Sequence, residues 1–173
     1  KDQDLNLGIN FKDALFDSLK ECNNKCPFCF IDQQPPGKRT SLYLKDDDYR
    51  MSFLYGSYLT LTNLKKEDWK RIATQKLSPL FVSVHATHAD VRERLLINKK
   101  ARQILTQIKW FKKNGIQIHA QIVICPNIND EEILNQSIYD LSHFYGKTKK
   151  TVLSVAIVPV GLTKFRPKED GLI

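Results

Sequence analysis

Four short stretches rich in β-branched and aromatic residues punctuate the chain, at residues 58–61, 80–85, 116–125 and 152–158, and each reads as a strand. The segments between them carry apolar residues at helical spacing. The clearest is 101–114, where Ile104, Leu105, Ile108 and Phe111 form one stripe, Lys109, Lys112 and Lys113 fall largely outside it, and Gly115 supplies the stop. Helix starts agree: Thr87 with Asp90 reads as a capping box, and Asn129 ahead of Asp130, Glu131 and Glu132 supplies an N-cap and acids for the helix dipole. Strands alternating with helices predict parallel βαβ units, and the apolar run at 116–124 suits a strand covered on both faces. The expected fold class is α/β. Phe11, Leu15 and Leu19 fit either an amphipathic helix over 11–20 or a strand over 15–20, and periodicity does not separate the two. Pro35, Pro36 and Gly37 mark a loop at 33–39.

Length narrows the architecture. At roughly 30 residues per βα unit, 173 residues hold about five or six units, whereas an eight-unit barrel needs ~250. With 42% hydrophobic and 27% charged residues the chain has the material of a folded domain, not of a disordered one. No apolar run approaches the ~20 residues of a membrane helix, so a soluble, cytoplasmic protein without a membrane partner is expected. The chain starts at Lys1, and residues 1–6 lack the apolar core of a signal peptide; a core segment cut at both ends from something longer is expected. The net charge of +8 attracts phosphates, yet the excess is mostly lysine and accompanies many Asn and Ile, which codon bias also explains. RNA is therefore a less favoured partner.

The most informative stretch is Cys22-Asn23-Asn24-Lys25-Cys26-Pro27-Phe28-Cys29, which sets three of the four cysteines at C-x3-C-x2-C spacing. Three clustered thiols cannot all pair locally, and in an intracellular α/β chain such spacing reads as metal binding. Three thiolates suit a cubane [4Fe–4S] cluster whose fourth iron stays open for chemistry, because a closed electron-transfer cluster takes four. The rival is a structural zinc ion, which needs a fourth ligand from the distant Cys125, His85 or His119. Ordinary buried cysteines are the third reading, and spacing alone leaves all three open.

With Phe28 ahead of Cys29, the run resembles the signature of the radical S-adenosylmethionine (radical SAM) superfamily. Further stretches narrow the resemblance: Cys22-Asn-Asn-Lys-Cys-Pro-Phe-Cys-Phe-Ile-Asp32, Ser41-Leu-Tyr-Leu-Lys-Asp-Asp-Asp-Tyr-Arg50, Tyr55-Gly-Ser-Tyr-Leu-Thr-Leu-Thr-Asn63, Leu77-Ser-Pro-Leu-Phe-Val-Ser-Val-His-Ala-Thr87, Ile118-His-Ala-Gln-Ile-Val-Ile-Cys-Pro126 and Val158-Pro-Val-Gly-Leu-Thr-Lys164. Together they resemble a branch described as iron–sulfur oxidoreductases, with a PDZ-like domain ahead of the core and a domain of unknown function behind it. The resemblance implies a partial (β/α)6 barrel whose cluster loop follows the first strand. That reading makes 15–21 a strand, so five of six units are expected, in one radical SAM core domain spanning 1–173. It also implies that Cys22, Cys26 and Cys29 ligate a [4Fe–4S] cluster and that S-adenosylmethionine chelates the open iron. One electron, from a donor such as flavodoxin or ferredoxin, then yields methionine and a 5′-deoxyadenosyl radical that takes a hydrogen atom from an unknown substrate.

The resemblance extends to single positions. Phe28, Ser83 in Ser-Val-His-Ala, and Asn129 in Pro-Asn-Ile-Asn-Asp are similar to cofactor-contacting positions of related enzymes. The Gly-Gly-Glu-Pro-like run usual after the second strand is absent, Thr60-Leu61-Thr62-Asn63 standing there instead. Asn127 replaces a usual glycine, which asparagine tolerates through its access to left-handed backbone. Plain readings stand beside these: Phe28 as a core aromatic, Ser83 serving a buried backbone group, Asn129 as an N-cap. His85, one strand period from Ser83, is a candidate proton donor or substrate contact, or a hydrogen-bonded histidine within the sheet. Asp46, Asp47 and Asp48 read as a solvated or capping turn, and Cys125 as a small buried strand residue. The alternative function is a non-catalytic iron–sulfur or zinc module serving electron transfer or scaffolding. If 152–158 is the final strand, its outer edge lies open and calls for a flanking domain or a second chain to cover it.

Overall fold

The computed structural model describes residue 15, residues 17–146 and residues 150–167. Four strands, β1 (Tyr58–Leu59), β2 (Leu80–Ser83), β3 (Ile118–Ile124) and β4 (Val152–Pro159), form one sheet in the order β1-β2-β3-β4. Every pairing is parallel. Parallel neighbours need crossovers, and the helices supply them. α1 (Tyr49–Tyr55) precedes β1, α2 (Lys66–Gln75) joins β1 to β2, α3 (Ala89–Leu96) and α4 (Ile104–Asn114) join β2 to β3, and α5 (Glu131–Ser142) joins β3 to β4. None of the helices among the described residues is long and apolar enough to cross a membrane.

The predicted strands are present; the first three are shorter at their ends than expected, and β4 runs one residue further, to Pro159. β1 stops at Leu59 because Leu61 turns to φ 64°, and β2 stops at Ser83 because His85 turns to φ 63°. α4 carries the predicted stripe: Ile104, Ile108 and Phe111 are fully buried, Leu105 packs beside them, and Gly115 ends the helix in the left-handed region at φ 69°. Residues 99–103 precede it as a 3-10 turn rather than as part of the helix.

Alternation in the strands decides what lies on each face. Leu80, Val82, Ile118, Ala120 and Ile122 join Ile72 of α2, Ile108 and Phe111 of α4 and Leu141 of α5 in one core. The residues between them, Phe81 and Ser83 in β2 and His119, Gln121 and Val123 in β3, point the other way. β3 is thus packed by helices on one face only, which corrects the expectation of a strand covered on both. The uncovered face carries the polar side chains.

Three further expectations change. The strand expected over 15–21 does not form in its described part: residues 18–20 have no regular structure, and Glu21 makes a single antiparallel bridge to Asp46. The Cys22 N–H donates to the Lys45 carbonyl (2.8 Å) and the Asp47 N–H to the Lys20 carbonyl (3.1 Å), so this backbone is engaged by 45–47 and not by β1. Residues 1–14 and 16 lie outside the described residues, and with them half of the helix expected over 11–20 and one position of the strand expected over 15–20. The described sheet therefore has four strands where five units were expected. Second, α3 is capped by His88, not by a Thr87–Asp90 box. The Thr87 hydroxyl is taken by Asp140 of α5 (2.6 Å), and Asp90 pairs with Arg102. Third, the N-cap of α5 is Asp130 and not Asn129, whose side chain turns inward.

β4 ends the sheet, and no strand pairs with its outer edge among the described residues. Ile157 is exposed there while Val152 is buried. The α4 stripe anchors the opposite face, and its removal is a direct test of this packing. Ile108→Ala is expected to cost about 3 kcal/mol of unfolding free energy, read as a lower urea midpoint by circular dichroism.

Candidate functional site

Beyond their carboxyl ends the strands give way to a cavity of about 580 Å³, within the range of small-molecule sites. The polar face of the sheet forms its wall: Thr60 after β1, Ser83 and His85 at the end of β2, Gln121 and Val123 in β3, and Val158 and Pro159 in β4. Cys22, Cys26, Phe28 and Cys29 line the same cavity from the loop that follows Glu21. The backbone holds that loop in place. The Lys25 N–H donates to the Leu96 carbonyl at the end of α3 (3.1 Å), and the Cys29 N–H to the Cys26 carbonyl (3.0 Å).

All three cysteines are free and half-buried. Burial pushes the Cys26 thiol far up, and the neighbouring Cys22 and Cys29 push it in the same direction. Cys22 is raised too, by burial first and then by the charge of Asp47. Three soft donors that repel one another's charge form a set that a cationic centre reverses, because a bound cation favours thiolate. Among the described residues no three His, Cys, Asp or Glu side chains converge on a single metal ion. The candidate fourth zinc ligands are also engaged elsewhere. Cys125 is buried among Ala86, Leu95, Leu96 and Ala101, and His119 bonds Ser154 (2.8 Å). His85 accepts the Val123 N–H at Nδ1 (3.3 Å), which puts its proton on Nε2.

The chain matches the family model described as a radical SAM-like domain over residues 1–151. It belongs to that radical SAM-like family. No curated protein matches it in a sequence search. Membership is consistent with the partial α/β architecture, and it directs attention to the remaining residues around the cysteines.

Phe28 packs edge-on against His85, ring centroids 4.8 Å apart. The two thus form one patch of cavity wall. Ser83 and His85 share the cavity face, as their spacing predicts, and the Ser83 hydroxyl has no protein hydrogen-bond partner among the described residues. Burial, then the charge of Arg92, holds His85 down to about 3, so the imidazole is neutral near pH 7. Asn129 lies behind the wall. Its Nδ2 donates to the His85 carbonyl (2.7 Å) and the Val123 carbonyl (2.8 Å), and its Oδ1 accepts the Cys125 N–H (2.7 Å). This side chain joins the ends of β2 and β3 without lining the cavity. Asn127 adopts φ 62°, the left-handed conformation expected of it.

The sequence reading missed Arg92, the largest fully buried side chain among the described residues. Its guanidinium donates to the carbonyls of Thr60 (2.9 Å), Ser83 (2.8 Å), Val84 (2.8 Å) and Ala101 (2.6 Å). Burial lowers it only to about 10, so it stays charged at neutral pH, with Asp47 and Cys26 favouring the charge. The available signal was its place on α3 within one turn of the buried Leu95 and Leu96. The aspartate run also differs from the solvated reading, since Asp47 and Asp48 are each 1% exposed. Asp48 does cap α1 and pairs with Arg50 (2.6 Å). Asp47 accepts both the backbone N–H (2.5 Å) and hydroxyl (2.7 Å) of Thr60, and burial raises it to about 6.

Replacing Arg92 by Met orphans four buried carbonyls, and a loss of more than about 3 kcal/mol of stability is expected in chemical denaturation. Arg92→Lys restores only part, because an ammonium lacks the planar fork. The depressed His85 gives a pH signature. Between pH 6.5 and about 3 the unfolded chain binds a proton that the folded chain refuses, so stability falls as pH falls. Asp47, raised to about 6, acts in the opposite sense over its own window. The stability difference between wild type and His85→Gln isolates the histidine and should shrink by about 1.4 kcal/mol per pH unit in mid-window.

Proposed function

We propose that this chain is an enzyme core that holds a [4Fe–4S] cluster on Cys22, Cys26 and Cys29 and reductively cleaves S-adenosylmethionine to start radical chemistry on a substrate. The observation that carries the reading is the meeting of the three cysteines, Phe28 and the polar strand ends in one cavity of a radical SAM-like domain. When bound, the cluster would supply one electron and an open coordination position. The protein's own work is positioning. Phe28, braced on His85, offers an aromatic surface beside the cysteine loop, and the unengaged Ser83 hydroxyl offers a polar contact for the cofactor. Asn129 serves the site indirectly by fixing His85 and Val123. His85 can donate from Nε2 but is a poor base, since its acceptor nitrogen is already used. Ile31, Leu44, Val123 and Val158 give the cavity apolar walls that limit water around a reactive species.

A second reading, a non-catalytic iron–sulfur module, is favoured by the open sheet: among the described residues β1 and β4 both end it, and the described strands do not close around the cavity. One experiment separates the two. After anaerobic reconstitution with iron and sulfide the protein should be brown, and dithionite plus S-adenosylmethionine should yield 5′-deoxyadenosine and methionine. Cys26→Ala should lose the iron and the product together. A brown protein that forms no 5′-deoxyadenosine supports the module reading, and colourless protein with stoichiometric zinc overturns both.

A further inference from the structure

The three cysteines are not equivalent in their surroundings. Asn24 lies between Cys22 and Cys26 in sequence, is only 5% exposed, and places Nδ2 3.2 Å from Cys22 Sγ. Among the described residues no side chain donates to the sulfur of Cys26 or Cys29.

The orientation of the Asn24 amide follows from its partners. Asn98 Oδ1 accepts the Lys100 backbone N–H (3.0 Å), so Asn98 presents Nδ2 to its other neighbours. That Nδ2 lies 2.8 Å from Asn24 Oδ1, which must therefore accept, and the Thr62 hydroxyl shares its proton between this oxygen (3.1 Å) and Asn23 Oδ1 (3.0 Å). Asn24 is left to donate through Nδ2, to Thr60 Oγ1 (2.9 Å) and to Cys22 Sγ. Thr60 can accept because its own proton goes to Asp47 (2.7 Å). The amide thus uses both of its donor hydrogens while its oxygen accepts from Asn98 and shares the Thr62 proton, and it cannot rotate away from the sulfur without breaking several bonds.

We propose that Asn24 is a positioning residue that donates a hydrogen bond to one ligand sulfur, Cys22 Sγ, and thereby raises the reduction potential of the centre held by the three cysteines. The inference rests on the iron–sulfur reading above. Its physical basis is that adding an electron increases the negative charge on the ligand sulfurs, and a fixed N–H dipole stabilises the more negative state. The amide also orients the Cys22 side chain toward the cavity before any centre is bound.

The test is an anaerobic potentiometric titration of the reconstituted protein, with iron and sulfide counted on the same samples. Asn24→Ala should retain iron and sulfide while its reduction becomes about tenfold less favourable, a fall of about 59 mV for one electron. Asn98→Ala removes a bond that fixes the amide but leaves the donor, so a smaller fall is expected. If Asn24→Ala loses its iron, the Asn98 variant decides: a lowered potential supports the role, and an unchanged one overturns it. A loaded Asn24→Ala protein with the wild-type potential overturns the tuning role and leaves the cluster reading standing. A wild-type protein that takes up no iron overturns both.

Discussion

The guanidinium of Arg92 meets a requirement that any parallel sheet faces where its strands end inside the protein. Where β1 and β2 end, at their last paired residues and just past them, the backbone carbonyls of Thr60, Ser83 and Val84 lie away from open water. An unmet buried carbonyl costs about 1–3 kcal/mol. One planar cation with a fork of donors satisfies these three and adds Ala101, which ties the stretch before α4 to the same point. The carbonyl dipoles in turn stabilise a charge that has no direct carboxylate partner among the described residues. Each side of the contact compensates the other, and the rim of the cavity depends on both.

The same logic recurs at the next strand. Left-handed residues turn the chain off the sheet after each of the first three strands, at Leu61, His85 and Asn127. For side chains larger than glycine such a turn costs of the order of 1–2 kcal/mol, so the surroundings must hold it. Asn129 does so by bonding the His85 and Val123 carbonyls and the Cys125 N–H. The His85 ring stands in for a strand carbonyl by accepting the Val123 N–H. A histidine used this way is a structural acceptor first, which is why burial leaves it neutral instead of poised near pH 7. The polar residues of the rim that looked most like chemistry in the sequence thus divide between those that face the cavity and those that build its wall.

That division explains what could be read in advance. Strand and helix positions were legible because alternation and the 104, 105, 108, 111 stripe are local signals, and so was Asn127, whose residue type matches its backbone. The three cysteines stood out by their spacing, and they line one cavity. Arg92 was not, because its four acceptors come from three separate stretches of chain and a charged residue on a short helix ordinarily faces water. Asp47 was hidden for the same reason, since only tertiary contact brings Thr60 to it. Asn129 resembled an N-cap because the acidic helix start one residue later gives the same local pattern, and the competition was settled by buried backbone groups that the sequence does not display.

The uncovered face of the sheet also determines which end of it is open. Below the cavity Phe81 stacks on His119 at 4.8 Å between ring centroids, and His119 bonds Ser154 across to β4. Phe81 also lies against Gly56, where an added Cβ would stand 3.4 Å from the ring. These contacts fill the amino-terminal half of the face. At the other end the small Ser83 and the receding chain leave room, and the cysteine loop crosses there because the Lys25 and Cys22 amides are held by Leu96 and Lys45. The position of the cavity thus follows from side-chain size along β2 and β3 together with two backbone anchors, and the cysteines reach it because those anchors fix the loop from both sides.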